Sequence, residues 1–162
     1  MLRVFKNEPL PETNLGRLVN GKAESIRLDH LVAGVRAVII GVPGAFTPVC
    51  TQEHLPSFIS TAPKFKAAGY EKLICVAAND PFVVDKWARE LDPDGVLNFL
   101  SDGNLDFARA CGMEWYDRRN FLGMRSRRYL LTCDDGIVES IKVEASIDLT
   151  LSTAPGTVLI EA

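Results

Sequence analysis

The sequence has no apolar run long enough to cross a bilayer. Its longest, Ala37 to Val42 and Leu73 to Ala78, fall far short of the ~20 residues a membrane helix needs. Charge of one sign is also scarce: 18 basic and 21 acidic residues leave a net charge of −3. So small an excess calls for neither nucleic acid nor an anionic membrane as partner. Met1-Leu-Arg-Val-Phe-Lys6 is followed by no apolar stretch of the secretory kind. The expected compartment is therefore cytoplasmic, where thiols stay reduced. There is no internal repeat, low-complexity tract or linker, and 162 residues suit one domain spanning 1–162. At 47% hydrophobic and 24% charged, the composition excludes a disordered chain.

Closely spaced cysteines are missing too. Cys50, Cys75, Cys111 and Cys133 include no C-x-x-C pair. That removes the usual zinc ribbon, the thioredoxin-type dithiol and the dense disulfide framework of small secreted domains. With two histidines, His30 and His54, and scattered thiols, no metal site is expected. Each cysteine is then a small core hydrophobe or a reactive thiol.

The apolar pattern alternates between strand-like and helix-like stretches. Leu15–Val19 and Ala23–Leu28 flank Asn20-Gly21, a strong hairpin signal. Arg36–Val42 is a continuous β-branched run of the kind buried on both faces of a sheet. A helix is expected from Pro48, bent near Pro56 and ended by Gly69. Lys72–Ala78 reads as a second buried strand, and Asp80-Pro81 caps a helix to Leu91. Val96–Leu100 is a short strand. Asp102 or Asn104 opens a helix closed by Gly112. Arg125–Thr132 and Ile137–Val143 form a closing hairpin around Cys133-Asp-Asp-Gly136. The tail after Ser146 carries no clear pattern. This order predicts an α/β fold with a mixed central sheet flanked by helices and an N-terminal β-hairpin.

Ligands of open α/β sheets bind at the carboxyl ends of strands. At the end of the first buried strand stands Pro43-Gly-Ala-Phe-Thr-Pro-Val-Cys50. With Thr47 as N-cap and Pro48 at N1, Cys50 falls at N3, facing unpaired backbone N–H groups and the positive end of the helix dipole. That setting favours the thiolate; the competing reading is a cap followed by a core cysteine. Arg118, Arg119, Arg125, Arg127 and Arg128 supply a second source of positive charge. They form either a solvated face or a group from which one arginine reaches the sulfur. Strand alternation sends Arg128 to the opposite side from Arg125 and Arg127, and spacing does not choose among them. His54, one turn after Cys50, is either a base for the thiol or a packed side chain.

At these residues the chain resembles the peroxiredoxins, in the branch of the animal type-5 and plant type-II enzymes. The family pattern Pro-x-x-x-Thr-x-x-Cys is met by Pro43, Thr47 and Cys50. The likeness continues through His54-Leu-Pro56, Asn79-Asp-Pro-Phe-Val83, Trp87 and Arg125-Ser-Arg-Arg128, and it covers the chain from about Leu10 to Val143. It implies a thioredoxin-like fold and reduction of hydroperoxides without a cofactor. The peroxidatic cysteine falls on Cys50, its threonine on Thr47, its arginine on Arg128 and the shielding proline on Pro43. The peroxide step yields a sulfenic acid, with Arg128, the Thr47 hydroxyl and the Cys50 backbone N–H expected as donors to the departing oxygen. Glutathione with glutaredoxin, or thioredoxin, is the implied reductant, and a homodimer the implied assembly. Leu151 replaces the C-terminal resolving cysteine of type-5 members. Cys75 matches a plant type-II position with a possible resolving role, although it sits within a buried run. The alternative function is a non-catalytic redox sensor or chaperone-like protein working through sulfenylation of Cys50.

Overall fold

A computed structural model describes residues 1–146, 150 and 152–159. The chain opens with β1 (Asn14–Val19) and β2 (Lys22–Arg27), paired antiparallel around Asn20-Gly21. Both turn residues have positive φ, 49° and 77°. That geometry matches the twist of the flanking strands and explains why Asn-Gly makes a two-residue hairpin. A short turn of helix, α1 (Leu28–Leu31), leads to β3 (Arg36–Val42). β4 (Lys72–Ala77) lies parallel to β3, and β5 (Asn98–Ser101) parallel to β4. The expected closing hairpin is β8 (Tyr129–Asp134) and β9 (Ile137–Val143), with β8 antiparallel to β3. One seven-stranded mixed sheet results, in the order β2-β1-β5-β4-β3-β8-β9.

Residues alternate across the pleat, so the central strands feed two cores. On one face Ala37, Ile39, Ile74, Val76 and Leu131 pack with Leu28 of α1, with Phe107 of α4 (Asp106–Cys111) and with Val4 and Leu10 of the N-terminal arm. On the other, Val38, Ile40, Val42, Cys75, Ala77 and Leu130 pack with Leu55, Phe58 and Phe65 of α2 (Leu55–Ala67). Val84 and Trp87 of α3 (Pro81–Leu91) join them. Burial on both sides explains why β3 and β4 read as unbroken apolar runs. Asp80 caps α3 as expected, its carboxylate accepting from Phe82 N at 2.9 Å and Val83 N at 3.0 Å. Asp102 serves α4 from a distance, accepting from Phe107 N at 3.1 Å and Ala108 N at 2.8 Å.

Two expectations need correction. The helix from Pro48 is not merely bent at Pro56: Cys50–His54 is a π-helical turn. Pro56 has no N–H, and its ring crowds the carbonyl four residues back, on Gln52. The turn widens there, and the Leu55 N–H donates to the Cys50 carbonyl, five residues back. Second, Arg125 and Arg128 do not share a strand. β6 (Glu114–Asp117) and β7 (Gly123–Ser126) form a separate two-stranded sheet. The chain leaves it at Arg127, whose N–H donates to Met113 O at 2.8 Å, before entering the main sheet as β8. The tail adds one helical turn, α5 (Gly156–Leu159).

Candidate active site

The carboxyl end of β3 delivers Pro43 and Gly44 into a turn braced from three directions. Asn79, after β4, accepts from Ala45 N through Oδ1 at 2.7 Å. Arg125 donates from Nη1 to Pro43 O at 3.2 Å and from Nε to Leu122 O at 3.0 Å. Gly44 leaves room for that guanidinium, since a Cβ there would stand 2.7 Å from Arg125 Nη1. Phe46 takes the left-handed conformation, φ 62°, which costs a non-glycine residue about 1 kcal/mol or more. Its ring remains half exposed, 6.4 Å from that of Trp87. Trp87 in turn donates from Nε1 to Thr51 Oγ1 at 3.1 Å, which ties the π turn to α3.

Thr47 holds the expected N-cap position, its carbonyl accepting from Thr51 N at 3.0 Å, but its side chain does not cap the helix. Its hydroxyl donates back to Gly44 O at 2.8 Å. Its proton is thereby committed, and its oxygen keeps lone pairs with which to accept. The expected donor role for the Thr47 hydroxyl is corrected accordingly. Pro43 is buried at the base of the turn, and Cys50 is fully buried at the start of the π turn, in the same core as Cys75, Leu55, Phe58 and Leu130.

Among the arginines left open by spacing, the fold separates three roles. Arg127 is exposed, Arg125 braces Pro43, and Arg128 is buried at 1% exposure. Arg128 donates from Nη1 to Nδ1 of His54 at 2.9 Å. A guanidinium can only donate, so Nδ1 is the acceptor and the proton of His54 resides on Nε2. Nε2–H then donates to Thr153 O at 3.0 Å. Burial, reinforced by the Arg128 charge, pushes the imidazole down to about 4. His54 is therefore neutral at physiological pH with both ring nitrogens engaged, which removes it as a base for Cys50. Sequence spacing placed it on the right turn but gave no sign of either partner.

Cys75 pairs in register with Ile40 and Phe99 in the middle of the sheet. Burial first, then the neighbouring Cys50, hold its thiol well above the ordinary range, against a smaller opposing effect of Arg128. Cys50 and Arg128 thus both lie within electrostatic reach of Cys75. Burial also raises Cys111 to about 12 and Cys133 to about 11, in keeping with core thiols. Among the described residues no cluster of His, Cys, Asp and Glu could hold a metal ion. Leu151 lies outside the described residues.

This arrangement defines a thioredoxin-like α/β protein with a buried thiol at a strand-to-helix turn and a fixed guanidinium nearby. Residues 5–157 match the Redoxin family. The chain is 42% identical to "Peroxiredoxin-2E-2, chloroplastic" of Oryza sativa subsp. japonica, over 91% of this chain and 68% of the relative. It is 36% identical to "Peroxiredoxin-2E, chloroplastic" of Arabidopsis thaliana, over 91% of this chain but only 64% of that protein's length. A crystal structure of reduced Prx3 in complex with H2O2 from Vibrio vulnificus superposes with a TM-score of 0.90 at 32% identity, covering 98% of this chain and 95% of that one. The chain belongs to the Redoxin family and, within it, to the peroxiredoxins. The type-5/type-II assignment is compatible with these relatives, and they support a thiol-dependent peroxidase activity.

Proposed function

We propose that the protein reduces hydrogen peroxide and organic hydroperoxides at Cys50, served by Thr47, Pro43 and Arg128. The observation that carries this reading is a buried arginine fixed by His54 on the side of the sheet that holds Cys50. A guanidinium held in one orientation on that side of the sheet is a preorganised donor for negative charge that develops at the sulfur and the peroxide. The Cys50 thiolate attacks one peroxide oxygen. The S–O bond forms as the O–O bond breaks, sulfur loses two electrons, and the departing oxygen takes a proton and leaves as water or an alcohol. Arg128 N–H groups, fixed beforehand, stabilise the charge growing on that oxygen. The Thr47 oxygen, its own proton held by Gly44, accepts from the peroxide O–H and orients it. Pro43 covers the sulfur against bulk water.

The product is a Cys50 sulfenic acid. An external thiol then forms a mixed disulfide with it and releases water, and a second thiol restores Cys50. Glutathione with glutaredoxin, or thioredoxin, fits this step; the buried, protonated Cys75 argues for an external thiol over an internal one. A homodimer, formed through surfaces that include the half-exposed Phe46 on the active-site turn, belongs to the same proposal. So does residence in a reducing compartment such as the cytoplasm. The deciding assay follows peroxide consumption by purified protein with the glutathione/glutaredoxin and thioredoxin systems in parallel. Cys50→Ser abolishes turnover while leaving the circular dichroism spectrum unchanged; a variant retaining a tenth of the wild-type rate refutes the assignment.

A further inference from the structure

Glu144 follows directly on β9 and is buried, 5% exposed. Its Oε1 alone accepts three hydrogen bonds, from Ser152 N at 2.7 Å, Thr153 N at 2.9 Å and Thr153 Oγ1 at 3.0 Å. Burial opposes its charge. The hydrogen bonds from Thr153 and Ser152 outweigh that and hold the carboxyl below its ordinary range. The tail residue gripped in this way, Thr153, is fully buried, and its carbonyl receives the Nε2 proton of His54 at 3.0 Å. His54 accepts from Arg128 at 2.9 Å, and the Glu144 backbone N–H donates to Arg128 O at 3.0 Å. Glu144, Thr153, His54 and Arg128 therefore close a ring of hydrogen bonds. Both Arg128 and Glu144 border the same small notch beside Trp115 and Arg127.

We propose that Glu144 is a positioning residue for the peroxide step, acting on Arg128 through Thr153 and His54. The proposal rests on the peroxidatic reading of Arg128. The lever is geometric. Thr153 O specifies which nitrogen of His54 keeps the proton, and the proton's place specifies which nitrogen faces the guanidinium as an acceptor. Thr153 belongs to the C-terminal tail, and among the described residues Glu144 is the side chain that holds its N–H and hydroxyl. Without the carboxylate oxygen, three buried or half-buried donors lose their acceptor. Thr153 then shifts, the imidazole is free to turn or change tautomer, and Arg128 loses the contact that fixes its plane. Misplacement of a catalytic group by about 1 Å costs up to about 100-fold in rate.

Two readouts on the full-length chain test this. The first is the second-order rate of Cys50 oxidation by hydrogen peroxide, read by sulfenic-acid trapping and mass spectrometry and normalised to folded protein. The second is the imidazole 15N spectrum, in which buried His54 is resolved from exposed His30 by Phe58 contacts to its ring. Glu144→Ala is expected to slow oxidation by about tenfold to 100-fold and to move His54 away from the single Nε2–H pattern. Glu144→Gln presents an amide oxygen where Oε1 stands, so it recovers most of the rate and the wild-type pattern. If Glu144→Ala does not fold, Thr153→Val removes the hydroxyl donor alone and is expected to give a smaller shift of both readouts in the same direction. A residue that merely caps the tail lowers the melting temperature and leaves both readouts of the folded protein unchanged; that result overturns the proposal. If the wild type itself does not react with peroxide, the peroxidase reading fails, and the 15N comparison alone still decides whether Glu144 sets the state of His54.

Discussion

Arg128 and His54, 74 positions apart in the chain, meet at 2.9 Å inside the core, with the arginine donating and the neutral imidazole accepting. The pairing gives a buried guanidinium one defined orientation without neutralising it. A carboxylate in place of His54 would pair with the cation and weaken its pull on a peroxide oxygen.

Loss of Arg128 therefore strikes the chemical step. Arg128→Ala is expected to slow peroxide attack on the order of 100-fold or more, measured by stopped-flow oxidation of Cys50. Arg128→Lys restores little, because a lysine lacks the planar fork that meets both His54 and the departing oxygen. Unchanged attack in Arg128→Ala would return the role to Arg125, which in this fold braces Pro43.

Thr47 separates two roles of one hydroxyl. Thr47→Ser keeps the donation to Gly44 O and the free lone pairs, and retains most of the rate. Thr47→Val keeps the shape and loses both, with an expected fall of about 100-fold. Equal rates for the two variants would remove Thr47 from the mechanism.

Acid should loosen the fold through His54. Its folded pKa of about 4 lies below the unfolded value of 6.5, so the unfolded state binds the extra proton first. The contribution is fully present above pH 6.5 and is lost as pH falls toward about 4. Its size is on the order of 3 kcal/mol. Urea midpoints measured across that window should fall more steeply for the wild type than for His54→Gln. Parallel curves would show that His54 does not titrate in this way.

Recycling can be read directly by mass spectrometry after one equivalent of peroxide without added thiol. Sulfenic or sulfinic acid on Cys50 is the expected product, and Cys75→Ser should turn over with glutathione and glutaredoxin at a rate within about twofold of wild type. Rapid, near-quantitative Cys50–Cys75 disulfide, with turnover impaired in Cys75→Ser, would establish the internal route instead.

Sedimentation velocity at micromolar concentration should show a dimer that Phe46→Arg weakens, since a charge on a buried apolar contact is costly. A wild-type species of monomer mass throughout would remove the homodimer.

Much of this protein was legible in the sequence because its signals are local. Asn20-Gly21 makes its hairpin from two residues' preferred dihedrals, and Asp80-Pro81 caps α3 within three residues. The apolar runs of β3 and β4 report burial on both faces, and Pro43, Thr47 and Cys50 stand together on one turn. Only the tertiary structure decided the rest, because each remaining feature depends on a partner far along the chain or on a backbone detail that propensity does not encode. The π turn arises where Pro56 withholds an N–H from a helix already packed on the sheet. The break between β7 and β8 follows from a change of pairing partner, from β6 to β3. The direction of the Thr47 hydroxyl depends on how the turn presents the Gly44 carbonyl. The tautomer of His54 is set by Thr153, 99 residues on, and Thr153 is placed by Glu144; spacing along a sequence carries no record of such contacts, which exist only once the sheet has brought the segments together.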